Sequence, residues 1–129
     1  MRRSQSRRPT NAELNILRVL WRRGPSTVRE VHAGLDRGPA VGYTTVLKLL
    51  QIMAEKGLVT RDASARSHVY RARASEAVTQ RRLVSDLLER AFGGSALGLV
   101  MQALSAKRPS SQELRQIREL LEELNGGKR

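Results

Sequence analysis

At 129 residues the chain is long enough for one domain, or for one small domain with an added oligomerisation segment. The absence of cysteine excludes disulfides, thiolate metal sites and cysteine nucleophiles. The 24 Lys and Arg residues outnumber the 12 Asp and Glu residues, and the net charge of +12 favours a polyanionic partner, either nucleic acid or an anionic membrane surface. No run approaches the ~18 apolar residues of a membrane span, so we expect no membrane insertion. With no signal peptide recognisable at its start, the chain is expected to be cytoplasmic.

The positive charge is concentrated in the N-terminal half. Residues 1–72 contain 14 basic and 5 acidic residues, a net charge of +9, whereas residues 73–129 contain 10 and 7, a net charge of +3. We therefore expect the polyanion to bind the N-terminal half. Residues 1–9 include four arginines and nothing to bury, which predicts a disordered basic arm that either follows phosphates or remains a solvated tail.

Two capping boxes predict the first two helices. Thr10 to Glu13 has the capping-box pattern, and the helix that it begins is expected to pass through Trp21 and to stop at Gly24. Trp21 is the only tryptophan and lies among apolar neighbours, which indicates a core residue. Thr27 to Glu30 is a second capping box and predicts a short helix that ends between residues 34 and 39.

A third helix is predicted from Val41 to Lys56, with Gly57 as its C-terminal cap. Its apolar residues recur at the i, i+3, i+4, i+7 spacing of one helix face: Val46, Leu49, Leu50 and Met53. The other side carries side chains that can form hydrogen bonds: Tyr43, Thr44, Thr45, Lys48 and Gln51. A solvated surface helix would show the same pattern. After another short helix, however, the pattern predicts a helix-turn-helix whose second helix reads the DNA major groove.

Two β-prone runs follow this helix. Residues 58–61 and 68–72 flank a polar, turn-like segment, and together they predict a β-hairpin. Arg61, Arg66 and Arg71 are expected near its tip or on its faces. A hairpin directly after a helix-turn-helix is a wing, and its arginines are suited to contact phosphates or an adjacent minor groove. The alternative is a solvated hairpin.

Three amphipathic helices are predicted after Ser75, separated at Gly93-Gly94 and near Ser110. They carry more apolar surface than they can bury alone, which favours a dimerisation domain, although part of the first stripe could form an intrachain core. The residues expected in the dimer interface are Leu83, Leu87, Phe92, Leu97, Val100, Met101, Leu104, Leu114, Ile117, Leu120, Leu121 and Leu124. The predicted fold is mainly α with a small β-hairpin: a basic arm (1–9), a winged helix-turn-helix DNA-binding domain (10–73), a helical dimerisation domain (74–125) and a flexible tail (126–129).

Several local strings together resemble the penicillinase repressor family, which includes the β-lactamase and methicillin-resistance repressors and the copper-responsive CopY-type repressors. The strings are Leu17-Arg18-Val19-Leu20-Trp21, Ser26-Thr27-Val28-Arg29-Glu30-Val31, Tyr43-Thr44-Thr45-Val46, Glu55-Lys56-Gly57-Leu58-Val59 and His68-Val69-Tyr70. The resemblance runs from Thr10 to Leu124 and is densest before Ala72. It implies a homodimeric winged-helix repressor that binds double-stranded operator DNA at a palindrome and blocks its own operon.

The resemblance also implies residue roles. The positions that match the family's reading helix are Gly42, Tyr43, Thr44, Thr45 and Lys48, and Arg66 and His68 match the wing. With Gln51 and Arg61, these form the expected DNA-binding set.

In relatives the signal is often a membrane metalloprotease sensor of the β-lactam-receptor type, which cleaves the repressor in its C-terminal domain. The matching region here is residues 97–104, where Gln102-Ala103 replaces the Asn-Phe bond of β-lactamase repressors, so cleavage at that bond is in doubt. The CopY type ends in paired cysteine motifs, and this chain has no cysteine.

The sequence is less favourable to two other classes of function. A basic RNA-binding, nucleoid-associated or ribosome-associated protein fits the charge, but four aromatic residues supply few platforms for unstacked bases. An enzyme is the least favoured class, because no catalytic constellation or phosphate loop is visible. His32 and His68 lie in different elements, and His32 is interpreted as a surface or packing residue. We expect no metal and no cofactor.

Overall fold

The computed structural model describes residues 8–36, 41–64 and 66–126, which form six helices and three strands. The elements are α1 (Asn11–Arg23), β1 (Ser26–Thr27), α2 (Val28–Gly34), α3 (Tyr43–Lys56), β2 (Val59–Asp62), β3 (Val69–Ala72), α4 (Glu76–Phe92), α5 (Ala96–Ala106) and α6 (Ser111–Gly126). The mainly helical fold with a small antiparallel sheet confirms the predicted fold class. Most of the predicted arm (residues 1–7) and of the predicted tail (residues 127–129) lies outside the described residues.

Both predicted capping boxes are present. The Thr10 hydroxyl accepts from the Glu13 amide at 3.2 Å, and the Glu13 carboxylate accepts from the Thr10 amide at 2.9 Å. Thr27 and Glu30 form the same reciprocal pair at the start of α2. Donation from the Thr27 amide is the main reason why the pKa of the Glu30 carboxyl is lowered. Each box satisfies backbone amides that would otherwise lack partners at a helix start.

Helices α1 and α2 lie in close contact. A Cβ built on Gly34 would lie 2.9 Å from Cγ1 of the buried residue Val19, so only glycine fits there without a shift. The Arg22 guanidinium donates to the Gly34 carbonyl at 3.3 Å and satisfies one of the free carbonyls at the end of α2. These contacts hold α2 against α1 and so determine where the chain leaves α2 toward α3.

Helix α3 begins at Tyr43, two residues later than the sequence predicts. Gly42 has extended backbone angles (φ −79°, ψ 163°) and is the N-cap, so Val41 belongs to the preceding loop. The C-terminal prediction is confirmed, because Gly57 adopts the left-handed conformation (φ 85°) that glycine tolerates best. On the predicted inner face Val46, Leu50 and Met53 are fully buried, while Leu49 is half-buried.

The predicted hairpin is present but belongs to a three-stranded sheet. Strands β2 and β3 pair antiparallel, and β1, which sequence analysis missed, pairs with the other edge of β3. A strand of two residues is too short to produce a periodic signal. β1 ties the segment between α1 and α2 to the wing, because Ser26 lies opposite the buried residue Tyr70.

One hydrophobic core joins these elements. Residues of α1, α2, α3, β2 and β3 contribute to it, namely Ile16, Leu17, Leu20, Val28, Val31, Val46, Leu50, Met53, Val59 and Tyr70. Trp21 packs against this core, and its indole N–H donates to the Ala74 carbonyl at 3.0 Å, which confirms its interpretation as a core residue. The core fixes the orientation of α3 relative to the wing.

A buried ion pair fixes the C-terminal end of α3. The Lys56 ammonium lies 2.7 Å from the Glu13 carboxylate, and the side chains of Lys56 and Glu13 are only 15% and 3% exposed. The same ammonium donates to the Arg8 carbonyl at 3.3 Å. Arg8 and Pro9, the last two residues of the predicted arm, are half-buried. The end of α3 is therefore attached to the start of α1.

The chain divides into two compact units that meet in sequence at Arg81 and Arg82, within α4. The first unit has the hydrophobic core. In the second, none of the described residues 82–126 is buried. Its exposed apolar side chains include Leu97 (70% exposed), Met101 (60%) and Leu124 (60%). The described part of the second unit thus consists of amphipathic helices without an enclosed core.

The Glu13–Lys56 pair predicts an asymmetric stability effect. Lys56→Met should lower the free energy of unfolding by about 3 kcal/mol, because it leaves a buried carboxylate without its cation. Adding Glu13→Gln removes the charge and keeps a capping side chain, so the double variant should be more stable than Lys56→Met alone. Urea denaturation measures both. A loss below about 1 kcal/mol for Lys56→Met would contradict the assigned role of the pair.

Candidate nucleic-acid interface

The outer face of α3 presents a row of polar side chains. Thr44, Lys48 and Gln51 follow the i, i+4, i+7 spacing, so they lie on one face, and all three are exposed. Because Val46, Leu50 and Met53 occupy the opposite face, the core itself orients this row outward. We call Thr44, Lys48 and Gln51 the reading row.

The composition of α3 limits how far along the helix a polyanion can bind. Glu55 follows Gln51 by four residues, on the same face as the reading row, and is exposed. A carboxylate repels phosphate, so the contact surface is expected to end before the last turn. At the other end of α3 the free amides and the positive end of the helix dipole favour an anion. The N-terminal two-thirds of α3 is therefore the electrostatically suitable part.

A cleft of about 440 Å³ lies between α2, the start of α3 and the wing. Its lining combines three of the predicted DNA-binding residues with the first residues of α2: Thr27, Val28, Arg29, Glu30, Tyr43, Leu47, Arg66, Ser67, His68 and Tyr70. Tyr43 is 46% exposed. The fold thus brings Tyr43 together with Arg66 and His68 of the wing, although more than twenty residues separate them in sequence.

Arg29 is a cleft residue that sequence analysis missed. It is exposed, and it lines the same cleft as Arg66. No hydrogen bond or ion pair of its guanidinium is found within the described part of the chain. Its position in a short helix gave no signal, since only the tertiary structure brings α2 beside the wing. Two arginines on one cleft are suited to bind a phosphate.

The turn of the wing is organised by Asp62. Its carboxylate accepts from the Ser64 hydroxyl at 2.7 Å and from the Ser64 amide at 2.9 Å. These hydrogen bonds lower the pKa of the Asp62 carboxyl.

Arg61 lies opposite Tyr70 in the strand register, and cross-strand partners share one face of the sheet. Arg61 is exposed but does not line the cleft.

All nine sequence-predicted DNA-binding residues are exposed. The structure groups them as the reading row (Thr44, Lys48, Gln51), the cleft residues (Tyr43, Arg66, His68) and three others, Gly42, Thr45 and Arg61. Gly42 contributes no side chain and acts as the N-cap of α3. Their contact with DNA remains a prediction.

In the described part of the chain no group of three or more His, Cys, Asp or Glu residues converges, so neither histidine lies in such a cluster. His32 instead contacts the loop before α3, through a hydrogen bond of 2.7 Å to Val41. No helix among residues 8–36, 41–64 and 66–126 is both long and apolar enough to cross a membrane.

Two helices joined by a loop, the second with an exposed polar row, and a following antiparallel wing define the winged-helix class of nucleic-acid-binding fold. Within that class, the chain belongs to the penicillinase repressor family, whose model matches residues 9–123. This is a family of transcriptional repressors, and the match confirms the resemblance noted in the sequence.

Named relatives agree with this family. The chain is similar to the transcriptional regulator BlaI of two Mycobacterium tuberculosis strains, CDC 1551 / Oshkosh and ATCC 25618 / H37Rv. Each is 41% identical over 59 residues, which are 45% of this chain and 43% of the relative. The match therefore spans less than half the length of these regulators. The chain is also similar to the penicillinase repressor of Bacillus licheniformis, with 23% identity over 114 residues, 88% of this chain and 89% of that protein.

The cleft predicts a role for Arg29 in binding duplex DNA. Arg29→Ala should weaken binding to all sequences alike and reduce the slope of log K against log salt by about 1 per protomer, because a phosphate contact releases counterions but reads no base. Fluorescence anisotropy at several salt concentrations measures the slope. Arg108→Ala removes the same charge from the loop before α6 and is the matched control. Equal slopes for both variants would place Arg29 away from the DNA.

Proposed function

We propose that the protein is a DNA-binding transcriptional repressor that acts as a homodimer on a palindromic operator. The observation that carries the proposal is the exposed reading row on α3, a helix whose opposite face is buried and which lies next to a basic wing. The chain that carries this arrangement belongs to the penicillinase repressor family. Helix α3 lies in the major groove, with Thr44, Thr45 and Lys48 facing base edges or phosphates. Arg66 and Arg61 of the wing contact the backbone or the adjacent minor groove.

The length of the reading row supports a dimer. Thr44 and Gln51 are seven residues apart, which corresponds to about 10 Å along a helix. At ~3.4 Å per base pair, one α3 faces only about three base pairs. Three base pairs recur too often to identify an operator, so a second α3 one helical turn away is required for specificity.

The second unit supports the same conclusion. Helices α5 and α6 expose large apolar side chains, and the described residues of both helices include none that is buried. Obligate homodimer interfaces resemble a domain core cut in half, and helices of this kind complete such a core with a second copy. The proposed interface comprises the apolar residues predicted from sequence, from Leu83 to Leu124.

Repression is proposed to end through the second unit, by proteolysis or another signal. Gln102 and Ala103 are exposed but lie inside α5, where every backbone group near the bond is helical. A protease must open this helix before it can cleave the bond, and local opening is easiest where few apolar contacts are buried. A membrane metalloprotease sensor is the proposed partner for this step. Loss of the dimer would halve the operator contact and release the DNA.

An RNA-binding or nucleoid-associated role is the alternative function. RNA recognition relies on exposed aromatic rings that stack on bases. Of the four aromatic residues, Tyr70 is buried, Trp21 and Phe92 are half-buried, and only Tyr43 is exposed. The arrangement therefore favours duplex DNA.

The proposed function predicts strong salt dependence and operator specificity. Three arginines per protomer (Arg29, Arg61 and Arg66) give six phosphate contacts in a dimer, so affinity should fall about 10³-fold between 50 and 200 mM salt. Anisotropy against the duplex just upstream of the gene, with scrambled duplex as competitor, measures both properties. Equal affinity for the scrambled duplex, or for structured RNA, would reject the repressor in favour of a general nucleic-acid binder.

The dimer makes a separate prediction. Leu120→Glu should weaken dimerisation by about tenfold or more, because it buries a carboxylate in the apolar interface. Sedimentation equilibrium measures the dimer, and circular dichroism verifies that the first unit stays folded. Arg115→Gln changes the charge by the same one unit at an exposed position on the opposite face of α6 and should leave the dimer intact. A Leu120→Glu variant that is fully dimeric would show that Leu120 lies outside the interface.

A further inference from the structure

The start of α3 lacks the side-chain cap found at other helices of the fold. Thr10 and Thr27 cap α1 and α2, and the Ser95 hydroxyl caps α5, whereas Gly42 offers no side chain to the first turn of α3. Yet this turn carries Thr44 and Thr45, which the proposed function places against DNA, and Tyr43, which lines the cleft. No side chain at the N-cap therefore fixes where this helix begins.

His32 contacts the chain on both sides of that N-cap. Its Nε2 lies 2.7 Å from the Val41 carbonyl oxygen, and because a carbonyl can only accept, Nε2–H is the donor. The ring of Tyr43 meets the His32 ring edge-on, with centroids 6.4 Å apart and planes at 82°. Val41 immediately precedes Gly42 and Tyr43 immediately follows it. His32 thus holds the entry to α3 from the side of α2.

The His32 side chain is itself held in place by the packing of α2. His32 lies on α2 immediately after Val31, which is fully buried, and α2 is attached to α1 by the Arg22–Gly34 hydrogen bond. His32 is half-buried, which protects its short hydrogen bond from competition by water. The neutral Nε2–H tautomer and the imidazolium can both donate, so the hydrogen bond to the Val41 carbonyl does not require a charged ring.

We propose that His32 is a positioning residue for DNA recognition: it holds Val41 and Tyr43 so that the first turn of α3 is preorganised for the operator. It need not contact the DNA. Preorganisation matters most for base contacts, which require precise placement, and least for contacts with the uniform phosphate backbone. This inference rests on the proposed function and adds to it a residue outside the interface.

The consequence is a selective loss. His32→Ala should raise the dissociation constant for the operator about 3- to 10-fold, the equivalent of one hydrogen bond, and change binding to scrambled duplex by less than about twofold. His32→Gln can place an amide N–H near the Nε2 position and should recover most of the operator affinity. The amide of Val46, which donates to the Gly42 carbonyl at 3.1 Å, should exchange with solvent faster in His32→Ala than in the unmodified protein.

The experiment compares operator and scrambled-duplex affinities, by anisotropy at one salt concentration, for full-length protein and three variants. Ser75→Ala is the matched control, because it also removes one side-chain to backbone hydrogen bond, the one that the Ser75 hydroxyl accepts from the Val78 amide at the exposed start of α4. It should leave operator affinity within about twofold. Amide exchange at Val46 is followed in the same samples, and circular dichroism confirms that each is folded.

Three results would overturn the proposal: operator affinity of His32→Ala within twofold of the unmodified protein, equal impairment of His32→Gln and His32→Ala, or parallel loss of operator and scrambled-duplex binding. Failure of the proposed function gives a different result, since the unmodified protein would then not distinguish operator from scrambled duplex. In that case exchange at Val46 still decides whether His32 holds the start of α3.

Discussion

Burial of one face of α3 is the constraint on which the rest of the structure depends. Val46, Leu50 and Met53 are fully buried, and together they remove from water an apolar area that offsets the ordering of a helix too short to be stable alone. Burying that face fixes the rotation of the helix about its own axis. Thr44, Lys48 and Gln51 must then face outward, so the core and the candidate interface are two sides of one arrangement.

The two ends of α3 are held by different chemistry. At the C-terminal end, the buried Glu13–Lys56 ion pair attaches α3 to α1, and Gly57 in the left-handed conformation ends the helix. At the N-terminal end, where DNA is proposed to bind, the contacts are a hydrogen bond and a ring edge from His32. The ion pair thus holds the end of α3 that lies far from the proposed DNA, whereas the His32 contacts preorganise the first turn beside it.

In the proposed function, the first unit binds DNA and the second unit forms the dimer. The first has a complete core, which the described residues 82–126 of the second lack. If each protomer contributes about three base pairs, dimerisation makes the second contact intramolecular, and operator affinity then depends on the dimer as much as on α3. A signal that opens α5 or α6 need not reach the DNA-binding unit. In the proposed mechanism it would separate the two protomers, each of which binds its half-site weakly alone.

The sequence by itself determined the local elements. Hydrogen-bonding side chains spaced three apart predicted the capping boxes at Thr10 and Thr27, a glycine predicted the end of α3, and the 3.6-residue period predicted its buried face. These signals are short-range, so they can be recognised in the sequence without knowledge of the tertiary structure. The same period predicted the apolar stripes after Ser75, since amphipathicity is visible whether the partner is the same chain or a second copy.

Only the tertiary structure decided which distant residues meet. It paired Ser26 with Tyr70 in a strand too short for any periodic signal, and moved the start of α3 from Val41 to Tyr43 because Gly42 stays extended. It placed Arg29 on one cleft with Arg66, and His32 against Val41 and Tyr43. Such contacts depend on how elements pack, and packing is set by the summed burial of many side chains rather than by the spacing of a few.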